Sequence, residues 1–154
     1  MAFVLHSSDS QPGTQIPIRF TCTGSDVSPT LTWSDPPPGT GSFALICEDP
    51  DAPRGLWVHW VIYNIPHDTR SLSAAISTTP ELPDGTRQGV NDFGRIGYGG
   101  PCPPPGRGKH SYFFRLYALD AALTLPSGAT RADLLTVMEG HLLAQTELMG
   151  LYER

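Results

Sequence analysis

Three short apolar runs punctuate the chain: Phe43-Ala44-Leu45-Ile46-Cys47, the stretch from Trp57 to Ile65, and the aromatic-rich stretch from Tyr112 to Leu119. Each reads as a strand covered on both faces. Strands of that kind suggest a sheet sandwiched in the middle of the molecule rather than an isolated hairpin. Ile16-Pro17-Ile18-Arg19-Phe20-Thr21-Cys22 alternates apolar and other residues and predicts a further strand with proline near its start. Thr30-Leu31-Thr32-Trp33-Ser34 predicts another, closed by the turn Asp35-Pro36-Pro37-Pro38-Gly39.

One segment carries a different period. Thr130 is placed to cap a helix, with Asp133 at the capping-box position. Leu134, Leu135, Met138, Leu142 and Met149 follow at helical spacing, and Gly150 offers a stop. This predicts a longer C-terminal helix over about 130–149, its apolar stripe packed on the core. The stretch from Ser71 to Asn91 has little periodicity and reads as a long irregular connection.

Composition agrees with a loop-rich, mainly β chain. Of 154 residues, 39% are hydrophobic and only 16% charged, while Gly and Pro number 16 each. The length fits a single domain over 1–154. The net charge of −5, with no basic run, makes nucleic acid and an anionic membrane surface poor partners. No stretch is apolar over a bilayer-spanning length, and the first residues lack a signal peptide's pattern, so a cytoplasmic location is expected. Cys22, Cys47 and Cys102 are odd in number and show no CxxC spacing. They are expected to be free thiols in a reducing cytosol, with one disulfide left open.

Candidate chemistry gathers in two clusters. The first is Asp49-Pro50-Asp51-Ala52-Pro53 followed by Trp57-Val58-His59-Trp60. The second runs from Gly97-Tyr98-Gly99-Gly100-Pro101-Cys102-Pro103-Pro104-Pro105-Gly106 to His110-Ser111-Tyr112. In each, a rigid Pro/Gly loop adjoins an apolar strand with a histidine near its start. Strand periodicity places His59, Val61, Tyr63 and Ile65 on one face, and His110, Tyr112, Phe114 and Leu116 on one face of another strand. His110 and Tyr112 would then lie about 7 Å apart. Prolines 50 and 53 restrict the chain that carries Asp49 and Asp51. Aspartates beside histidines would raise the imidazole pKa. Glycines 97, 99, 100 and 106 would let bare amides form an anion-binding nest. The expected occupant is a phosphate-sized anion, held more tightly at lower pH, with any attached amine meeting the aspartates. His6, His67 and His141 have no such company and read as surface residues.

Two rival chemistries are weaker. Two Asp and two His are donors a divalent ion accepts, but HxH and HxxxH spacings are missing, so no metal is expected. Asp and His also suit acid–base catalysis. Neither a GxSxG elbow nor a P-loop is present, however. Cys102, between prolines, reads as a packed thiol.

At these residues the chain resembles the phosphatidylethanolamine-binding protein family, also called Raf-kinase-inhibitor-like proteins, in its bacterial and archaeal branch. The resemblance runs through Phe20-Thr21-Cys22, Ser28-Pro29, Leu31-Thr32-Trp33, both clusters above, and Asn91-Asp92-Phe93-Gly94. It implies an antiparallel Greek-key β-sandwich-like fold with a few short peripheral helices. It also implies an anion pocket lined by Asp49, Asp51, Pro53, His59, Gly99, Pro101, His110 and Tyr112, with no cofactor. The implied function is non-catalytic binding of phosphate or a phosphorylated headgroup or side chain, modulating a kinase or protease partner. An acid–base enzyme using Asp49, His59 and His110, and a serine protease inhibitor, are the alternatives. Bacterial relatives are often dimers, so the implied partners extend to a homodimer. Two departures stand out. Family members commonly carry Arg where this chain has Ser111, at a position facing away from the pocket. The loop from Pro53 to Trp57 is also shorter than in animal relatives, which place a pocket tyrosine there.

Overall fold

The computed structural model describes residues 2–154. In chain order its strands are β1 (Val4–His6), β2 (Leu31–Ser34), β3 (Ser42–Asp49), β4 (Trp57–Pro66), β5 (Ser71–Leu72), β6 (Arg87–Gln88), β7 (His110–Leu119) and β8 (Leu142–Tyr152). One α-helix among the described residues, α1 (Arg131–Met138), precedes β8. The strands form two antiparallel sheets, ordered β1-β2-β5 and β6-β4-β3-β7-β8. The chain is therefore mainly β.

β3 lies at the centre of the larger sheet, and all of its residues are buried. Its alternation divides the core. Phe43, Leu45 and Cys47 face the small sheet, packing with Leu5, Leu31, Trp33 and Leu72. Ala44 and Ile46 face the other way, against Leu123, Leu125, Leu134 and Met138 of α1 and the loop before it. Both faces of the central strands are thus covered, which is why their sequences are continuous apolar runs rather than alternating ones. The two carboxylates ending β3 follow the same alternation. Glu48 turns toward α1, and Asp49 turns toward the small-sheet side.

Glu48 is the polar anchor of the helix face. Its buried carboxylate accepts from Arg131 Nε at 2.9 Å and Arg115 Nε at 3.4 Å, and Arg115 reaches on to Glu147 at 2.6 Å. α1, β3, β7 and β8 are tied together by that chain of charges.

Three elements differ from the sequence reading. The expected helix over 130–149 stops at Met138. Thr130 and Asp133 do form the capping box, but Gly140 adopts φ +83° and the chain reverses. Residues from Leu142 onward instead pair with β7 along its whole length, from Leu119↔Leu142 to His110↔Tyr152. Burial there alternates at Leu148, Gly150 and Tyr152, the period of a strand. Gly150 is no helix stop. It faces Tyr112, and a Cβ there would lie 2.5 Å from Ile16.

The expected strand over Ile16–Cys22 is a 3-10 turn at Ile18–Phe20. Pro17 lacks an N–H and enters the turn with its carbonyl bonded to Phe20 N, which brings Phe20 onto Tyr112 and Tyr152.

The third difference lies in β4, which matches its expected limits but not its expected faces. Cys47 pairs with Trp60 and Glu48 with Val58, so His59 is the extra residue of a β-bulge. A second irregularity spans Phe43/Leu45, where Asn64 takes φ +54°. Val61 and Tyr63 keep the helix-facing side, while Ile65 switches to the small-sheet side. The irregular stretch 71–91 carries only β5 and β6 as strands.

Glu48→Gln should leave two arginines, each about a third exposed or less, without their shared carboxylate. The expected loss is about 2 kcal/mol in urea unfolding, below the value for a fully buried pair. A change under about 0.5 kcal/mol would show the cluster to be a solvated decoration.

Candidate functional site

A hollow of about 180 Å³ opens where β3 ends and β4 and β7 begin. At about 30 Å³ per water it has room for a tetrahedral oxyanion and a small substituent. Asp49, Ala52, Pro53, Trp57, His59, Phe93, Cys102, Pro104, His110 and Tyr112 line it.

The bulge aims His59 into this hollow. Without it, strand alternation would send the ring to the helix face with Val61. Instead the imidazole, 2% exposed, stands edge-on to Tyr112 and Phe93, with ring centroids 5.3 and 5.5 Å away. Its position is locked by a reciprocal pair of bonds. Nδ1–H donates to Gly99 O at 2.6 Å, and Gly99 N donates to His59 O at 2.9 Å. A Cβ at 99 would meet the Phe93 ring at 2.6 Å, so a larger residue there would push that ring out of its place on the wall.

His110 enters from β7. Its Nδ1 donates to Asp49 Oδ2 at 2.7 Å, a pair in which both side chains are buried. Asp49 Oδ1 accepts from Asp51 N, and Asp51 Oδ2 accepts from Ser111 N, at 2.7 and 2.8 Å. The Asp-Pro-Asp turn is thereby a brace between the end of β3 and the start of β7. Ser111 faces away and supplies only its amide. Tyr112 stacks on His110 at 6.4 Å between centroids, and its hydroxyl is buried with no protein partner. Burial, with Asp49 adding to it, pushes the Tyr112 phenol far up, so it stays an O–H donor.

The expected residues therefore divide. Asp49, Pro53, His59, His110 and Tyr112 face the hollow. Asp51, Gly99 and Pro101 stand behind it: Gly99 O holds His59, and Pro101 O accepts from Cys22 N at 3.1 Å. Trp57, Ala52, Phe93, Cys102 and Pro104 were not among the expected lining residues. Phe93 is delivered by Asn91, whose side chain accepts from Phe93 N and Arg95 N and donates to Gly97 O. The Asn91-Asp92-Phe93-Gly94 motif was the available signal. His6 and His67 are exposed, and His141 pairs with Asp120 at 2.7 Å.

Two chemical expectations are corrected. The glycine amides do not form an open nest. Gly97 N donates to Gly89 O, Gly99 N to His59 O, and Gly100 N to Asp26 Oδ1 at 2.8 Å. The His59 pKa is not raised but lowered. Burial among aromatic rings outweighs the opposing pull of the Gly99 carbonyl, Asp49 and Asp26.

The thiol expectation is corrected as well. Cys22 and Cys102, 80 residues apart in sequence, form a disulfide with Cα atoms 5.3 Å apart. Tyr98 OH on Phe20 O and Gly100 N on Asp26 already hold the two segments together. Sequence spacing carries no trace of that juxtaposition. Cys47 alone is a free, buried thiol, and burial raises its pKa. Among the described residues, no cluster of three or more His, Cys, Asp or Glu side chains is arranged to hold a metal, and no helix is long and apolar enough to cross a membrane.

A family model described as phosphatidylethanolamine-binding protein matches residues 6–153. A UPF0098 protein of Methanothermobacter thermautotrophicus is 53% identical over 140 residues, covering 91% of each chain. The crystal structure of Escherichia coli YbcL, described as a member of the mammalian PEBP family, superposes with TM-score 0.91 at 35% identity, covering 99% of this chain and 98% of that one. Carboxypeptidase Y inhibitor, solved in complex with its cognate proteinase, matches at TM-score 0.57 and 17% identity over 98% of this chain and 83% of its own, a likeness of fold alone. The chain belongs to the phosphatidylethanolamine-binding protein family.

Replacing both Cys22 and Cys102 with serine releases an 80-residue closure from the unfolded chain. The expected cost is about 3 kcal/mol, or roughly 10 °C in Tm, read by calorimetry. A loss below about 1 kcal/mol would mean that the hydrogen bonds alone set this wall of the hollow.

Proposed function

We propose that this member of the phosphatidylethanolamine-binding protein family is a non-catalytic receptor for a phosphate-type oxyanion, seated between His59 and His110. The observation that carries the reading is the unpartnered Tyr112 hydroxyl. A buried O–H without a partner costs roughly 1–3 kcal/mol, and a ligand oxygen that comes within reach of it would remove that cost. Nε2 of each imidazole is left for the same ligand, because Nδ1 is engaged by the protein. The apolar walls of Trp57, Phe93, Pro53 and Pro104 suit a small organic substituent rather than a bare ion in water.

Binding fits better than turnover. The Asp49–His110 pair resembles an oriented acid–base dyad. Yet the sulfur facing the hollow belongs to a disulfide, so no thiolate stands beside the dyad to attack a bound ester. Modulation of a protein partner, kinase or protease, follows if the oxyanion is a phosphorylated side chain or if an occupied hollow changes the rim. Protease inhibition is the alternative that the family's fold accommodates. Cytoplasmic residence fits the Cys22–Cys102 bond only where intracellular disulfides persist, as in hyperthermophiles.

Titrating O-phosphorylethanolamine should give saturable binding. Removing one charged-group contact typically costs about 2–3 kcal/mol, so His59→Ala and His110→Ala should each weaken affinity about 30- to 150-fold. Release of inorganic phosphate from a panel of monoesters, lost in His110→Ala, would replace the receptor reading with an enzymatic one.

A further inference from the structure

Most of the hydrogen-bond donors that approach the hollow are engaged within the protein. His59 Nδ1–H is directed at Gly99 O and His110 Nδ1–H at Asp49 Oδ2. A carbonyl and a carboxylate only accept, so Nδ1 carries the hydrogen in both rings. A neutral ring in that tautomer presents Nε2 as a lone pair. The amides of Gly97, Gly99 and Gly100 are all engaged within the protein. The Tyr112 hydroxyl remains, with the Asp49 carboxylate close behind. A phosphate dianion in this setting faces a lone pair at His59 and a nearby negative charge.

His59 differs from His110 in a way that assigns the missing proton. His110 touches a carboxylate directly. His59 touches a carbonyl and the edges of two aromatic rings. The acids around it are held elsewhere. Asp49, on β3, accepts from His110 and Asp51 N. Asp26, before β2, accepts from Gly100 N and lies 4.0 Å from Arg95. Asp92, after β6, accepts from Val58 N. From β7 the ring meets Tyr112, a neutral phenol. An incoming phosphate therefore supplies the counter-charge that His59 lacks.

We propose that the hollow takes up a phosphate monoester together with one proton from solvent, which lies between a phosphoryl oxygen and Nε2 of His59. The hollow is thus selective for the ligand's protonation state, and the complex is equally a monoanion on a neutral ring or a dianion on an imidazolium. Burial supports this by holding the ring neutral before the ligand arrives. The complex carries one proton more than its separated parts, so affinity falls as pH rises. This rests on the oxyanion reading given above.

Methyl phosphate is the probe, with its second pKa near about 6. Calorimetric titration near neutral pH, in two non-phosphate buffers of different protonation enthalpy, should show uptake of about one proton per site. Kd should rise about tenfold per pH unit between about pH 7 and 8.5. Imidazole 15N shifts should report the Nδ1–H tautomer at His59 in the free protein and a protonated Nε2 in the complex. In His59→Gln the side-chain amide donates without acquiring a proton, so the pH slope should fall to near zero. Binding with equal heats in both buffers and a flat Kd would overturn proton uptake while leaving the oxyanion reading intact. No binding between about pH 6 and 8.5 would overturn both. If His59→Gln folds and keeps the full slope, the proton is not at His59 and the assignment fails.

Discussion

Asp49 stands where the buried central strand of the larger sheet runs out, and its carboxylate decides how the two neighbouring strands meet. One oxygen takes His110 Nδ1 from β7, and the other takes the amide of Asp51 in the turn leading back to β4. Such a buried carboxylate persists because each oxygen has a donor. The His110 ring is thereby fixed beside the ring that the β4 bulge turns inward. Were Asp49 one residue earlier, it would project toward α1, where Glu48 already meets two arginines. The alternation of adjacent acids divides the molecule's polar interior into a face that carries α1 and a face that lines the hollow.

The side that lines the hollow is held in place for reasons that have little to do with charge. Gly99 and His59 hold each other by two hydrogen bonds, Asn91 fastens the loop that carries Phe93, and a disulfide joins the proline-rich wall to the segment beyond the 3-10 turn. Prolines 103, 104 and 105 cannot donate to any neighbour, so that wall is tied by the disulfide, by Cys22 N on Pro101 O, by the Arg154 guanidinium on Pro103 O and by Gly106 N on Arg154 O. The outcome is a small cavity whose shape is set in advance and whose hydrogen-bonding groups are mostly taken. Its chemistry comes from the few polar atoms left over, the two imidazole Nε2 atoms and the Tyr112 hydroxyl among them.

Much of this was legible in the residue pattern. The three apolar runs make up most of β3, β4 and β7, because a strand covered on both faces has no polar side to show. The capping box at Thr130 and Asp133 is local chemistry and forms as written. The two clusters named every ring nitrogen and carboxylate around the hollow, since Pro/Gly loops beside apolar strands are recognisable without coordinates. The segment after Gly140 was misread because Met138, Leu142 and Met149 satisfy a helical spacing, while the need of β7 for a partner on its open edge is a long-range demand.

The order of side chains along each strand, the turn residues and the chemical inventory belong to the sequence alone, because they depend on neighbours a few positions apart. Three things were settled only by the folded chain. His59 points inward because a bulge against β3 reverses its face, a matter of register between strands. The glycine amides are closed off because their acceptors, Gly89 across the adjoining loop and His59 and Asp26 from distant segments, are brought to them by the fold. Cys22 meets Cys102 because packing brings together what the sequence separates by 80 residues. Each is a contact between segments, and a one-dimensional pattern carries periodicity but not proximity.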